Sequence, residues 1–143
     1  MKIKIKRLRD NVKLPTYGTE GAAAFDFYAP TERIIEGISF RHKIPLGIAV
    51  EIPPGYAMFI VPRSSTGLKT ALRQSNSIGV IDSDYRGEIA LILDNMDLGN
   101  ETIKAGERIA QGFIIPIPTV EFEEVDELSE TVRGEGGFGS TGV

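Results

Sequence analysis

The sequence predicts an all-β domain, a sandwich or a jelly-roll-like barrel. Three observations carry that prediction. Short apolar stretches recur along the chain and are cut by glycine and proline too often for long helices. "IKIKRL", residues 3–8, alternates between apolar and basic side chains as far as Lys6, the period of a half-exposed strand. Two further apolar runs, "GIAVEI" and "YAMFIVP", flank "PPG" and read as strand, turn, strand.

Taken in order, the elements have these reasons. The lysine-rich face of residues 3–8 is expected to be a solvated edge, because charge on an edge strand discourages pairing between molecules. "AAAFDFYAP", residues 22–30, puts Asp26 among small and aromatic residues. A carboxylate there is costly unless it is paired or holds a cation, and a turn or strand-end aspartate is the plainer alternative. "PRSSTG", residues 62–67, gathers a guanidinium, hydroxyls and a glycine, the parts of a phosphate cradle. It also reads as the start of a helix, which itself favours anions. "LKTALRQS", residues 68–75, is the one stretch that predicts a short helix. "GEIALIL" and "RIAQGFIIPI" predict two more strands. The last ten residues, "GEGGFGSTGV", hold five glycines and cannot build a core of their own. A frayed tail is the ordinary fate of such a segment, yet its phenylalanine and hydroxyls suit a cover for a planar, anionic ligand.

Composition narrows the function. The chain has 143 residues, enough for one domain with a true core, and ordinary globular proportions of hydrophobic (41%) and charged (25%) residues. Without cysteine it has no disulfide, no thiolate metal site and no cysteine nucleophile. The single histidine, His42, lies beside two cations in "FRHKIPLG" and reads as a surface residue, not a catalyst. A net charge of −4 argues against a nucleic-acid binder held by its field. "MKIKIKRLRD" has no apolar signal region, and no apolar run reaches membrane-spanning length, so a cytoplasmic protein is expected.

Two familiar motifs fail on context. "GEGGFG" matches G-x-G-x-x-G at Gly134, Gly136 and Gly139, but only four residues follow, too few for the helix that a dinucleotide fingerprint needs. "DSDYRGEIALIL" begins like a calcium loop but has Arg86 fifth and Leu93 twelfth, where a clasping carboxylate belongs. What survives is a constellation of Asp26, the "PRSSTG" loop, "GVIDSDYRGEI" at 79–89, and the tail from Arg133. Two phosphate-type elements, a carboxylate for a cation, an aspartate on a turn, and aromatics at Tyr85 and Phe138 outline a nucleoside triphosphate with a divalent ion.

In "AAAFDFYAP", "PRSSTG", "GVIDSDYRGEI", "GERIAQGFIIP" and "RGEGGFGSTG", the sequence resembles the trimeric dUTP pyrophosphatase (dUTPase) family. The five motifs follow in order from about residue 22 to residue 142. The resemblance implies a β-clip, jelly-roll-like distorted barrel in residues 1–132 and a flexible tail, 133–143, closing over a neighbour's site in a homotrimer. It implies Mg²⁺-assisted hydrolysis of dUTP to dUMP and pyrophosphate, which keeps uracil out of DNA and supplies dUMP for thymidylate. Asp82 would activate the attacking water and touch the sugar 3′-hydroxyl. Tyr85 would pack under the deoxyribose. Asn76, with the backbone of a hairpin at 79–89 around Gly79, Val80, Ile81 and Ala90, would read uracil. Arg63, Ser64, Ser65 and Gly67 would hold phosphates with Gln111. Asp26 would hold Mg²⁺ through water. Arg133 would reach the γ-phosphate, Phe138 would stack on uracil, and Gly139, Ser140 and Thr141 would close the lid. The partners implied are dUTP and two further copies of the chain, with no nucleic acid or membrane.

Departures from the family pattern are Ala24 for glycine, Phe27 for leucine, and Thr66-Gly67 for Leu-Ala; none removes a reactive group. A dCTP deaminase shares the fold, but it needs a carboxylate where this chain has Ile92, and isoleucine transfers no proton. A nucleotide-binding regulator that has lost catalysis is the rival from another class, and the complete set of reactive residues speaks against it.

Overall fold

The computed structural model describes residues 1–138 and 140. It contains twelve strands and one short helix among those residues. The strands are β1 (Lys4–Arg7), β2 (Thr16–Tyr17), β3 (Phe25–Tyr28), β4 (Arg33–Ile35), β5 (Ser39–Pro45), β6 (Ile48–Glu51), β7 (Tyr56–Val61), β8 (Leu72–Gln74), β9 (Gly79–Ile81), β10 (Ala90–Asn95), β11 (Glu101–Ile103) and β12 (Arg108–Pro116). They form four small antiparallel sheets, ordered β1-β6, β5-β10-β8, β11-β4 and β2-β3-β12-β7-β9.

Inward-facing side chains of these sheets meet in one apolar cluster. Phe27, Ile35, Ile48, Ile60, Ile103 and Ile109 bring residues from six strands into it. Phe27 is fully buried and needs room that the partner strand provides. Gly112 of β12 lies opposite Phe25, and a β-carbon there would come within 2.6 Å of the Phe27 ring and 3.0 Å of the Phe25 ring. The larger side chain at position 27 is thus matched by an absent one at position 112.

The expected strands form at 4–7, 48–51, 56–61 and 108–116, and β1 has the solvated edge that its lysines suggest, since it pairs with β6 alone. Two expectations need correction. The helix, α1, spans Ser64–Lys69, earlier than residues 68–75. Beyond it, Leu72 and Gln74 are buried while Arg73 is exposed, so this segment follows the strand period and pairs with β10. The strand expected from Gly87 begins at Ala90. Before it, Ile89 is already tied on both sides of Gly47: its N–H donates to Ile48 O (2.9 Å) and its carbonyl accepts Leu46 N–H (2.8 Å). Among the described residues no helix is long and apolar enough to cross a membrane.

Candidate active site

The stretch 79–89 does not close into a paired hairpin. β9 pairs with β7, in the register Met58–Ile81, Phe59–Val80 and Ile60–Gly79. β10 pairs with β5 and, from Leu93 onward, with β8. The two strands that flank the turn therefore belong to different sheets, and a cavity of about 450 Å³ opens between them. Val80, Ile81 and Asp82 line one side of it, with Tyr85 at the turn and Ala90 and Ile92 on the other side.

This separation exposes backbone. Along a strand, successive N–H and C=O pairs point to alternate sides. Ile89 turns its groups toward Leu46 and Ile48, and Ile92 turns its carbonyl the other way, to Ser75 N–H (2.9 Å). Ala90 shares the parity of Ile92, so its amide and carbonyl face the cavity side. β9 is the last strand of its sheet, and its outer edge is open. A planar ring with donors and acceptors on its rim would find a strand-like edge here. Val80, Ile81 and Ala90 lie where they can contribute, whereas Gly79, paired with Ile60, is not part of the cavity wall. Asn76 lies in the turn before β9, whose Ser77 N–H bonds Gln74 O (2.9 Å), and it is not part of the cavity wall.

The turn itself is braced. Tyr85 N–H donates to Asp82 O (3.2 Å), and the Tyr85 hydroxyl donates to Glu88 O (3.0 Å). Glu88 is held in turn by the Arg9 guanidinium, through two bonds of 2.6 and 3.0 Å, and by Gly47 N–H (2.8 Å). The hydrogen bond from Arg9 lowers the Glu88 pKa against the desolvation that would raise it; Gly47 N–H and the charges of Arg9 and Lys43 add to the lowering. Arg86 bonds the carbonyls of Ser83 and Tyr85, which makes it a turn brace. Asp82 is exposed at the cavity mouth.

The phosphate-type residues assemble elsewhere on the chain. Asp26, Gln111 and Val61 stand in one row across β3, β12 and β7. That row brings Asp26 beside Arg63, the residue that precedes α1. Asp26 Oδ1 is ion-paired with Arg63 Nε (2.9 Å) and Oδ2 accepts a hydrogen bond from Arg108 (3.2 Å), so both oxygens of this 8%-exposed residue face a guanidinium. Arg63 also donates to Ser65 Oγ (3.2 Å), and Gln111 Nε2 donates to Pro62 O (3.1 Å). Ser65, Thr66, Lys69 and Arg108 complete a basic, hydroxyl-lined hollow with Arg63. Ser64 and Gly67 lie in the helix beside it. Arg108 and Lys69 are absent from the sequence reading; the cationic start of "RIAQGFIIPI" is the trace that Arg108 leaves, and only strand register reveals what it touches.

Among the described residues no group of three or more histidine and carboxylate side chains is placed to cage a metal. Asp26, with both oxygens committed to arginines, is no cage either. A hydrated Mg²⁺ ion, which dehydrates reluctantly, needs no such cage: one carboxylate and substrate phosphates can hold it through its waters.

The tail makes few ties. Arg133 Nε bonds Gly136 O (2.7 Å), Ser140 N–H bonds Gly137 O (2.9 Å), and Phe138 is fully exposed. Gly139 and Thr141 lie outside the described residues. The turn cavity and the basic hollow have no lining residue in common.

Comparison with known proteins explains this set of parts. The family model described as dUTPase matches residues 10–142. Two curated relatives named deoxyuridine 5′-triphosphate nucleotidohydrolase align over nearly the full length of both chains. That of Hydrogenobaculum sp. (strain Y04AAS1) is 45% identical, covering 100% of this chain and 99% of its own. That of Nautilia profundicola is 46% identical, covering 99% of each. A solved structure of the Staphylococcus bacteriophage 80alpha dUTPase with dUPNHPP superposes with a TM-score of 0.92 at 30% identity, over 99% of both chains. With a family model across nine-tenths of its length and full-length relatives above 40% identity, this chain belongs to the dUTPase family.

Proposed function

We propose that the protein hydrolyses dUTP to dUMP and pyrophosphate. The observation that carries the reading is the open-edged cavity between β9 and β10, with Asp82 and Tyr85 at its mouth, in a chain of this family. Uracil enters between the two strand edges and is read by the backbone of Val80, Ile81 and Ala90. Tyr85, held by its bond to Glu88 O, lies under the deoxyribose and leaves no room for a 2′-hydroxyl. A water oxygen attacks the α-phosphorus, its proton passes to the Asp82 carboxylate, and the bond from the α-phosphorus to the bridging oxygen breaks. Pyrophosphate leaves. General-base help of this kind contributes about 10²–10⁴-fold.

Arg63, Ser64, Ser65, Gly67 and Gln111 bind the phosphates, with Arg108 completing the cradle. Asp26 orients the two arginines and would hold hydrated Mg²⁺ through its waters. When bound, that ion supplies charge neutralisation along the triphosphate. Because cavity and cradle are separate within one chain, each site takes its cavity from one copy, its cradle from a second and its tail, with Arg133, Phe138, Ser140 and Thr141, from a third. The homotrimer is what the family resemblance implies, and the absence of a shared lining residue between cavity and cradle supports it. Residues 1–132 form the barrel domain and residues 133–143 the lid.

A pyrophosphate-release assay across dUTP, dCTP, dTTP and UTP, with and without Mg²⁺, tests the reading. Turnover of dUTP above the other three is expected. Asp82→Asn should keep dUMP binding and lose at least about 10²-fold in turnover. Near-normal turnover in that variant would remove Asp82 from the mechanism. Ammonia release from dCTP would move the protein to the deaminase reading, against Ile92.

A further inference from the structure

We propose that Gly87 is a positioning residue for the sugar: the side chain it lacks makes the space in which the Tyr85 ring lies, and so sets how strictly a 2′-hydroxyl is refused. The inference rests on the reading just given, that the deoxyribose of the nucleotide lies on Tyr85. A β-carbon placed at Gly87 would come within 2.5 Å of the Tyr85 ring at Cζ and 2.8 Å at Cε2, and nearer still to its hydroxyl. Packed carbons keep about 3.5–4.0 Å apart, so the ring and a side chain at 87 cannot share this space. The ring is folded back over the turn, against the backbone two residues on.

The turn itself does not ask for glycine at this position. Among the described residues the glycines with positive φ are Gly47, Gly55, Gly106 and Gly134, so left-handed backbone is not the reason for glycine at 87. Nor can the chain after it give way. Glu88 is held by Arg9 and by Gly47 N–H, and Ile89 bonds Ile48 O and Leu46 N–H. Tyr85, 43% exposed at the cavity mouth, is the part with room to move. A methyl group at 87 therefore turns the ring outward and parts its hydroxyl from Glu88 O (3.0 Å). The main chain of Tyr85 stays on Asp82 O (3.2 Å), so the aspartate keeps its place while the sugar loses its floor.

Refusal of an added hydroxyl by an apolar wall reaches about 10²-fold, and it lasts only while the wall is in contact. Displacing the ring opens the space that a 2′-hydroxyl needs. The base is read elsewhere, by the strand edges at Val80, Ile81 and Ala90, so the choice between bases does not pass through position 87.

The test compares kcat/KM for dUTP, UTP and dCTP in wild type, Gly87→Ala, Tyr85→Ala and the double variant. Gly87→Ala should lower the dUTP/UTP ratio about tenfold or more and leave the dUTP/dCTP ratio unchanged. On the Tyr85→Ala background the same substitution should lower dUTP/UTP no further, because no ring is left to displace. Where UTP turnover is too slow to compare, the ratio of dUMP to UMP affinities by calorimetry should behave likewise. If Gly87→Ala does not fold, the double variant should fold, its conflict removed; a double variant that stays unfolded overturns the inference. So does a wild-type dUTP/UTP ratio in folded Gly87→Ala, or a further fall on the Tyr85→Ala background. Failure of the parent reading looks different: Tyr85→Ala would itself keep the wild-type dUTP/UTP ratio.

Discussion

Asp26 shows how one residue can serve two ends of a site. Its carboxylate is almost out of water and would be costly there without the Arg63 and Arg108 guanidiniums on its two oxygens. It therefore fixes where both arginines point. Asp26→Asn removes the charge and one acceptor, so we expect about 1.5–3 kcal/mol of lost stability, read as a lower urea midpoint. Pyrophosphate affinity should drop about tenfold or more, while dUMP affinity is nearly kept, because base and sugar are bound by other elements; equal loss for both would contradict a role in the phosphate cradle. That Asp26 had to be paired or ligating was legible in "AAAFDFYAP". Its partners were not, because Arg108 reaches it across a strand register that no local spacing encodes. Asp82 and Tyr85 were legible for the opposite reason: they crowd a short turn with more chemistry than a turn needs.

At the scale of elements, the separation of β9 from β10 is the feature that makes a cavity, and it is hidden in the sequence. Two apolar runs about a polar turn read as a closed hairpin. The strands instead find better partners in β7 and in β5 and β8, and the gap is left to a ligand. The helix moved for a comparable reason: the 68–75 stretch can be read at helical spacing, but Leu72 and Gln74 bury on the strand period. Bracing of the turn falls to Glu88, which ties it to Arg9 and to Gly47. The folded-state pKa of Glu88 lies below its ordinary 4.5, so its contribution is full above that value and is lost as pH falls through the depressed one. Glu88→Gln should cost about 1 kcal/mol at pH 7, modest because the pair is partly exposed. The gap between wild type and variant in urea midpoint should close as the pH drops below 4.5 toward 3; a gap that persists in acid would mean that packing, not charge, holds the turn.

For the whole molecule, the decisive fact is distribution. One chain has the cavity, the cradle and the tail, yet the cavity and cradle share no wall, and Phe138 at the tail rests on nothing. A tail composed largely of glycine was readable as unable to fold alone, and the barrel was readable from its punctuation. The spatial separation of the motifs was not readable, since linear order does not encode it. Deleting residues 134–143 should therefore leave the melting temperature near that of the full chain while turnover falls strongly. The proposed sharing of each site among three copies also has a genetic consequence. Asp82→Asn chains and tail-deleted chains should each form assemblies that are dead at every site. Unfolded together and reassembled at equal amounts, they should regain activity at roughly a quarter of sites, those that draw the turn from one parent and the tail from the other. Two null alleles would complement each other; if every site were built from a single chain, no mixture would ever revive.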